Sequence, residues 1–534
     1  MAPPTSQTNR IVHPILLAGD WRASSGGEAF NATNPRTRQA LEERYPVSGW
    51  DDLDAALAAA HAAAAPMRAV PGERIAAFLD GYAAGIEARA EAIVAVASQE
   101  TALAASPRLK DVELPRTTNQ LRQAAAAARD GTWLRPTIDT KANIRSCFAP
   151  IGPVLVIGPN NFPFAFNAIS GGDFAAAIAA GNPVIAKAHP LHPTTSRLLA
   201  EAAHEAARDA GLPDGAVQLI YHMAPEDGAR MVADHRLKAV AFTGSRAGGL
   251  KLKAAADAAG TLFSGEMSSI NPVVILPGAL AERAEEIAAE FVTSVLMGTG
   301  QFCTNPGLVL LLRGEATAAF VESVRSKMGA APAGVLFSES GQQGLLSAIG
   351  DLHDAGAEVL VGGAAVESDP PGACSVSNTL LRVPAERFLG APAVFQSECF
   401  GNASLMVVAD DVDQARQVID SLEGNLTGTI YSARGGADET AYDTLAVALR
   451  PKVGRLLNDK MPTGVAVSPA MQHGGPFPAT SQPHFTAVGM PAAIARFTQL
   501  ECYDNVRDAR LPACLRDTNP TAMWRLIDGE SRRD

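Results

Sequence analysis

Residues 152–187 read GPVLVIGPNNFPFAFNAISGGDFAAAIAAGNPVIAK, two short apolar runs separated by a helical segment. The runs Val154–Ile157 and 183–187 are bounded by Gly and Pro and are too short for helices, which favours buried strands. The segment near 173–180 is rich in Ala and has helical composition. A strand, a helix and a second strand at this spacing predict one unit of a doubly wound α/β sheet, with a phosphate-bearing ligand at the strand ends.

The same alternation continues on both sides of this stretch. Downstream we predict further strands at 217–220 and 238–242, with helices near 194–209, 226–234 and 246–258. A second α/β series is predicted with helices at 281–295 and 316–327 and strands at 307–313, 358–361 and 427–431. Upstream, a helical layer is predicted at 51–66, 73–100 and 111–129. The chain is therefore predicted to fold as two α/β lobes.

Composition excludes several classes of protein. The net charge of −12 disfavours a nucleic-acid-binding surface, and 47% hydrophobic residues exclude intrinsic disorder. No run reaches the ~20 apolar residues of a membrane span, and the N-terminus shows no secretory signal. The six cysteines contain no C-x-x-C pair, so neither a metal site nor a disulfide framework is expected, and a reducing cytoplasm is the simplest location.

Three residues could carry acyl-group chemistry. Cys303 lies in the loop GQFCTNPG, residues 300–307, where it is either a nucleophile or a small buried apolar residue. Glu266 ends an apolar strand and is either a general base or a surface carboxylate. Asn161 follows the strand Val154–Ile157, where its amide either stabilises an oxyanion or serves turn geometry.

Other residues could bind a phosphate or a ribose. Gly244 and Ser245 open a predicted helix and either bind a phosphate or cap the helix. Lys187 closes a strand, and Glu398 lies in the segment SECFG, residues 397–401; each is either a ligand or a solvated side chain. No complete G-x-G-x-x-G motif occurs in the chain.

The ordered series Asn161, Lys187, Gly244-Ser245, Glu266, Cys303 and Glu398 resembles the aldehyde dehydrogenase superfamily over nearly the whole chain. Within it, EMSSINP at 266–272 and MQHGGP at 471–476 are similar to the α-ketoglutarate semialdehyde (2,5-dioxovalerate) dehydrogenases. The NADP-linked fatty aldehyde dehydrogenases share some of these features.

The resemblance implies an α/β fold with a Rossmann-type cofactor domain, a second α/β catalytic domain and a β-arm. The cofactor domain is expected at 1–276, with arm strands near 133–148, and the catalytic thiol domain at 277–470. Residues 471–534 are expected to return to the cofactor domain and the arm, where 494–503 forms an edge strand. Members assemble through the arm, which implies a homodimer or homotetramer.

The resemblance also implies a mechanism. Cys303 attacks the aldehyde to form a thiohemiacetal, and after hydride transfer Glu266 activates water to hydrolyse the thioester. The Asn161 amide and the Cys303 N–H hold the oxyanion. The motif containing Glu398 and Phe400 binds the nicotinamide ribose.

Substrate contacts are expected from three side chains. The wall of the tunnel that leads the substrate to the thiol is expected to include Phe164, Phe166 and Thr304. Packing in the hydrophobic core is the alternative for the two phenylalanines. The substrate expected by analogy is α-ketoglutarate semialdehyde.

Cofactor choice is argued from the residues after Lys187. Many NAD-preferring members have a glutamate three residues after this lysine, where this chain has Pro190, preceded by His189. Without that carboxylate a 2′-phosphate is tolerated, so NADP is expected to serve at least as well as NAD.

Three alternatives remain open at this point. One is an NADP-dependent dehydrogenase of long-chain aldehydes, and a second is a non-catalytic protein that reuses the fold. The third is a thiol hydrolase that pairs Cys303 with a histidine.

Overall fold

The structure is a computed structural model that describes residues 11–366 and 371–533. Residues 1–10, which belong to the N-terminus where no secretory signal is expected, lie outside the described residues. The first lobe contains a seven-stranded sheet. Its strands, in spatial order, are Leu262–Glu266, Ala239–Thr243, Val154–Ile157, Val184–Lys187, Val217–Ile220, Ile15–Leu17 and Asp20–Arg22. The first five are parallel and the last two are antiparallel.

The five parallel strands follow the order 3-2-1-4-5 when numbered along the chain. This is the Rossmann order, so the expectation of a doubly wound sheet is confirmed. The two antiparallel edge strands were not expected, because each has only three residues and shows no extended apolar pattern. Helices cover the sheet. They are Trp50–Arg68, Gly72–Ala88, Ala90–Thr101, Leu114–Asp130, Gly172–Ala179, Pro193–Asp209, Pro225–Val232 and Arg246–Ala259, with a π-helix at Ala105–Glu113.

Several predicted helices have different bounds in the structure, and two of them lie in the N-terminal layer. The helix expected to end at Pro66 continues to Arg68. The helix expected over 73–100 is divided at Arg89, whose backbone leaves the helical region at φ −105° and ψ 9°. The sequence at this point contains neither Pro nor Gly, so no local signal marks the break.

The second lobe contains another seven-stranded sheet. Its strands, in spatial order, are Glu358–Val361, Thr379–Pro384, Ala403–Ala409, Leu308–Leu312, Val273–Ile275, Asn425–Tyr431 and Val453–Asn458. Only the first is antiparallel to its neighbour. Its helices are Pro277–Leu296, Glu315–Ala330, Glu339–Asp354, Ala385–Gly390, Pro392–Phe395, Val412–Asp420 and Glu439–Leu449. Along the chain, the first strand of this sheet begins at Val273, three residues before the boundary expected at 276 between the cofactor and catalytic domains.

A five-stranded sheet forms the arm. Its strands, in spatial order, are Thr498–Asp504, Ile144–Pro150, Thr137–Asp139, Arg525–Ile527 and Glu530–Arg532. The first two pair antiparallel over seven residues. The edge strand expected at 494–503 therefore starts later, because Ala492–Phe497 is a 3₁₀-helix.

A smaller sheet of Ala29–Asn34, Gln39–Ser48 and His222–Met223 was not expected. Among the residues that the structure describes, no helix has the length and apolar character needed to cross a membrane.

The register of the first sheet brings the cofactor candidates to one edge. Ile157 pairs with Lys187 on one side and Phe242 on the other, so the turns that follow all three strands meet at their carboxyl ends. Glu266 ends the neighbouring strand at the same edge. Cys303 precedes Leu308–Leu312 of the second sheet. The candidate site therefore lies between the carboxyl edge of one sheet and the amino edge of the other.

Candidate active site

Cys303 lies on a loop that follows the helix Pro277–Leu296 through the turn Met297–Gly300. Gly300 has φ +69°, and a Cβ there would lie 2.0 Å from the carbonyl oxygen of Gly401, so only glycine fits. On the other side, the Asn271 amide donates to the carbonyl oxygens of Cys303 and Asn305, both at 2.9 Å. The position of the thiol is thus fixed by close packing and by buried hydrogen bonds.

Glu266 is 1% exposed at the end of the strand Leu262–Glu266. The polar side chains that face its carboxylate are those of Cys303 and His473, and among the described residues neither oxygen has a well-aligned donor. Burying a carboxylate that lacks aligned hydrogen-bond donors costs free energy. Such a group is therefore expected where a water molecule or a ligand supplies the missing donor. A water molecule awaiting activation is one such donor.

His473 connects these two residues. Its Nε2 lies 3.1 Å from Glu266 Oε1 and 3.4 Å from Cys303 Sγ, and the side chain is 1% exposed. The Phe166 ring packs against the imidazole, with 5.6 Å between ring centroids. Sequence analysis singled out the segment 471–476 but gave His473 no role, because 170 residues separate it from Cys303.

The environment of Cys303 disfavours the thiolate. Burial, followed by the negative charge of Glu266, raises the pKa of the Cys303 thiol well above its usual range, while Arg116 acts in the opposite direction. The resting thiol is therefore protonated. A proton acceptor must be in contact with it, and His473 Nε2 occupies that position.

Asn161 lies close in the structure to the loop that carries the thiol. Its amide donates to the carbonyl oxygen of Gln301 at 3.1 Å. The loop of Asn161 is held by the buried Glu113, whose Oε1 accepts from the N–H groups of Phe164 at 2.8 Å and Ala165 at 3.0 Å.

Arg108 completes this support. It forms an ion pair with Glu113 and donates to the carbonyl oxygen of Asn161 at 3.1 Å. Sequence analysis missed both residues, because they belong to the π-helix Ala105–Glu113 and match no motif.

The carboxyl edge of the first sheet carries the cofactor candidates. Burial lowers the pKa of Lys187 to about 8 and lowers the pKa of His189 well below its usual range. His189 stacks on His192, with 5.4 Å between ring centroids. The Ser245 hydroxyl caps the helix Arg246–Ala259 by accepting from the Gly248 N–H at 3.3 Å. Helix capping is one of the two roles predicted for this residue.

Glu398 and Phe400 come from the second lobe. Burial raises the pKa of Glu398 to about 7, and its Oε1 accepts from the Ser269 N–H at 3.4 Å. Phe400 lines the same small cavity as Glu398 and Phe302.

The donor groups of this region fit a nicotinamide dinucleotide. The Rossmann order has its switch point between Val154–Ile157 and Ala239–Thr243, where Gly244 and Ser245 follow directly. The helix N-terminus at Arg246 suits a pyrophosphate, and the buried carboxyl of Glu398 suits ribose hydroxyls.

An apolar cleft of about 1020 Å³ lies beside the Cys303 loop. Its walls include Phe162, Phe302 and Val467, together with the guanidinium groups of Arg108 and Arg116. Phe302 directly precedes Cys303 in the chain, so the cleft lies next to the loop that carries the thiol.

The three expected substrate residues are not among those that line this cleft. Phe164 is fully buried, and Phe166 packs in a cluster with Phe162 and Phe302. Thr304 is also fully buried, and its hydroxyl accepts from the Gly464 N–H at 3.3 Å. The aromatic residues that line this cleft are Phe162 and Phe302, and the roles expected for Phe164, Phe166 and Thr304 remain predictions.

The ligand atoms of Glu266, Cys303 and His473 all lie within 4.8 Å of one another. Carboxylate, thiolate and imidazole are also a zinc-binding donor set, which sequence analysis did not expect. Since Asn161 and the cleft adjoin the loop that carries this thiol, covalent chemistry accounts for more of the site than a structural metal does.

The family model of the aldehyde dehydrogenase family matches residues 21–463. Alpha-ketoglutaric semialdehyde dehydrogenase 2 of Azospirillum brasilense is 38% identical over 98% of this chain and 100% of its own length. Alpha-ketoglutaric semialdehyde dehydrogenase of Acinetobacter baylyi is 35% identical over 94% of this chain and 95% of its own. The crystal structure of lactaldehyde dehydrogenase from Escherichia coli superposes with a TM-score of 0.79 at 23% identity, covering 92% of this chain and 98% of that one. The chain belongs to the aldehyde dehydrogenase family.

Proposed function

We propose that this aldehyde dehydrogenase oxidises α-ketoglutarate semialdehyde to α-ketoglutarate, with NADP serving at least as well as NAD. The observation that carries the covalent mechanism is the convergence of Cys303, His473 and Glu266 in one buried cluster. The two relatives that match nearly the whole chain bear the name of this semialdehyde, and two arginines line the adjoining cleft.

The first step is addition of the thiol to the aldehyde. His473 Nε2 takes the proton of Cys303, and the sulfur forms a bond to the carbonyl carbon, giving a thiohemiacetal. The Asn161 amide and the Cys303 N–H stabilise the developing oxyanion, and losing one such donor typically costs ~2.7–4 kcal/mol. In the free enzyme the Asn161 amide is kept in place by Gln301, so it is preorganised for this role.

A nicotinamide dinucleotide held by the region that contains Lys187, Ser245 and Glu398 would supply the hydride acceptor for oxidation of the thiohemiacetal to the thioester. Glu266 then takes a proton from water, which attacks the thioester and releases the acid and the thiol. The thiol proton stays on His473, whose Nε2 lies 3.1 Å from Glu266 Oε1 and 3.4 Å from Cys303 Sγ. Glu266 is therefore left to accept the proton of water, and His473 returns its proton to the sulfur when the thioester breaks.

The preference for NADP rests on the surroundings of Lys187. Its ammonium group is present below a pKa of about 8, and the neighbouring His189 and His192 are neutral polar groups rather than carboxylates. Position 190 is proline, so no acidic side chain repels a 2′-phosphate there.

Oxidation of long-chain aldehydes is the second candidate within the family. The apolar walls of the cleft and its volume of about 1020 Å³ favour it, whereas the two guanidinium groups favour an acidic substrate. We give Arg116 more weight, because Arg108 is already paired with Glu113, whereas a buried cation without an anionic partner is costly and an alkyl chain offers it no compensation.

A second copy of this chain is the proposed partner. The strand Thr498–Asp504 is an edge of the arm sheet, and the large apolar side chains of Leu500, Trp524 and Leu526 are exposed on the arm. Exposed edges and apolar groups of this kind are usually covered by a partner. We also propose a cytoplasmic location, which six free cysteines suit.

A substrate panel tests the proposal. The purified enzyme is assayed with α-ketoglutarate semialdehyde, succinic semialdehyde, pentanal and decanal, each with NAD and with NADP, and kcat/KM is compared. The highest value is expected for α-ketoglutarate semialdehyde with NADP. A higher kcat/KM for decanal would establish the second candidate instead, and a preference for NAD above about tenfold would refute the cofactor assignment.

A further inference from the structure

We infer that Arg116 forms a carboxylate-binding subsite in the apolar cleft and selects aldehydes that carry a distal acid group. The inference rests on the proposed function and extends it, since it names the group that recognises the acid end of the substrate. The ligand class is an aliphatic aldehyde with a carboxylate a few carbons from the reacting carbonyl.

Arg116 has a hydrogen-bond donor with no partner. The residue lies in the first turn of the helix Leu114–Asp130, and its Nε donates to Gln120 Oε1 at 3.1 Å. Its Nη2 is buried and makes no hydrogen bond to any described residue. Leaving a buried donor without a hydrogen bond costs more free energy when the donor is charged than when it is neutral. The Arg116 guanidinium is therefore suited to bind an anionic group of the substrate.

No protein carboxylate is committed to this guanidinium. Among the described residues Arg116 takes part in no ion pair, and the nearby Glu113 is already paired with Arg108. Burial lowers the pKa of Arg116, and the charge of Glu113 partly offsets that effect. A guanidinium remains protonated under all ordinary conditions, so the cleft contains a cation in need of a counter-ion.

The other arginines of the cleft are engaged. Arg36 donates to the carbonyl oxygens of Ser98 at 3.1 Å and Ala102 at 2.7 Å. Arg108 binds Glu113 and the carbonyl oxygen of Asn161. Arg116 is therefore the arginine of this cleft best placed to receive a ligand.

Contacts connect Arg116 to the thiol through two side chains. Its guanidinium carbon lies 5.2 Å from the centroid of the Phe166 ring, and that ring lies 5.6 Å from the His473 ring. His473 touches Cys303. An extended five-carbon chain spans about 5 Å between its terminal carbons, given C–C bonds of ~1.5 Å. The guanidinium is separated from the thiol by two side chains, and a short oxo acid bound to the sulfur would direct its acid end into this region.

The test is a comparison of matched aldehydes on Arg116→Met. Succinic semialdehyde is paired with butanal, and α-ketoglutarate semialdehyde with pentanal, so each pair differs mainly in the acid end. We expect kcat/KM for the two acids to fall about 30-fold or more, and kcat/KM for the two alkanals to change less than about threefold. Arg116→Lys is expected to recover part of the loss, since it restores the charge without the forked geometry.

Arg122→Met is the control for the helix. Arg122 lies on the same helix, is exposed and is paired with Glu87, so this variant is expected to match the wild type on all four aldehydes. Equal losses on acids and alkanals in Arg116→Met, or no loss on the acids, would overturn the subsite.

A second measurement does not depend on turnover. Glutarate is expected to slow alkylation of Cys303 by iodoacetamide in the wild type and to give no protection in Arg116→Met; equal protection in both would refute the subsite. If the wild type prefers succinic semialdehyde and Arg116→Met loses only acids, the subsite stands and the proposed substrate fails. If the wild type prefers α-ketoglutarate semialdehyde but Arg116→Met affects all aldehydes alike, the proposed substrate stands and the subsite fails.

Discussion

His473 Nε2 lies 3.4 Å from Cys303 Sγ, although 170 residues separate the two in the chain. The same nitrogen lies 3.1 Å from Glu266 Oε1. One atom therefore faces both the nucleophile and the base, so the imidazole can hold the thiol proton during acylation and return it to the sulfur during hydrolysis. Cys303, Glu266 and His473 thus form one cluster, although each lies in a different sequence motif.

The first prediction separates acylation from hydrolysis. Glu266→Gln is expected to give a stoichiometric burst of reduced cofactor and then to stop at the acyl-enzyme, because its amide cannot activate water. Stopped-flow absorbance of NADPH measures the burst. Cys303→Ala is expected to bind cofactor and give no burst, and steady turnover by Glu266→Gln at the wild-type rate would show that Glu266 is not the base.

The second prediction concerns the proton acceptor of the thiol. His473→Gln is expected to lower kcat/KM by about 10²–10⁴-fold, the usual contribution of a general base. Alkylation of Cys303 by iodoacetamide at neutral pH is expected to slow as well, because the raised pKa of the thiol then has no compensating acceptor. The rates are measured from pH 6 to 10. Alkylation that is as fast in the variant as in the wild type would remove His473 from the mechanism.

The third prediction is a pH dependence of cofactor preference. Burial lowers the pKa of Lys187 to about 8, so its ammonium is present below that pH and lost above it. The ratio of kcat/KM for NADP to that for NAD is therefore expected to fall above pH 8, approaching tenfold per unit. NAD lacks the 2′-phosphate and serves as the internal control. In Lys187→Met the ratio is expected to be low and independent of pH; a ratio that still falls would assign the effect to another group.

The fourth prediction tests the support of the Asn161 loop. Glu113→Gln removes the charge that pairs with Arg108, and breaking a partly buried pair of this kind costs about 3 kcal/mol of unfolding free energy. Thermal denaturation and urea denaturation measure the loss. Glu87→Gln, in an exposed pair with Arg122, is the matched control, expected to change stability by less than about 1 kcal/mol. Equal effects in the two variants would contradict the structural role of Glu113.

The fifth prediction distinguishes a covalent site from a metal site. A chelator is expected to leave activity unchanged, because the proposed steps use the thiol, imidazole and carboxylate themselves. Added Zn²⁺ is expected to inhibit reversibly by binding these three groups, and His473→Gln is expected to weaken that binding. Activity that a chelator abolishes and Zn²⁺ restores would instead identify a catalytic metal.

Much of the fold could be predicted because its signals are local. The strands Val154–Ile157 and Val217–Ile220 have the predicted bounds, since short apolar runs between Gly and Pro allow few other structures. The edge strands Ile15–Leu17 and Asp20–Arg22 were missed, because three-residue strands are stabilised by their neighbours rather than by their own pattern.

For the site, the sequence alone determined which groups are available: a cysteine in a glycine-rich loop, a glutamate that ends a strand and an amide that follows another. The order of the motifs and the residues that flank them can be recognised in the sequence alone, because both are local properties. Only the tertiary structure decided that His473 joins Cys303 to Glu266, that Glu113 holds the loop of Asn161, and that Arg116 faces the cleft with an unsatisfied donor. Contacts between distant residues depend on how the two sheets pack against each other, and no short stretch of sequence encodes that packing.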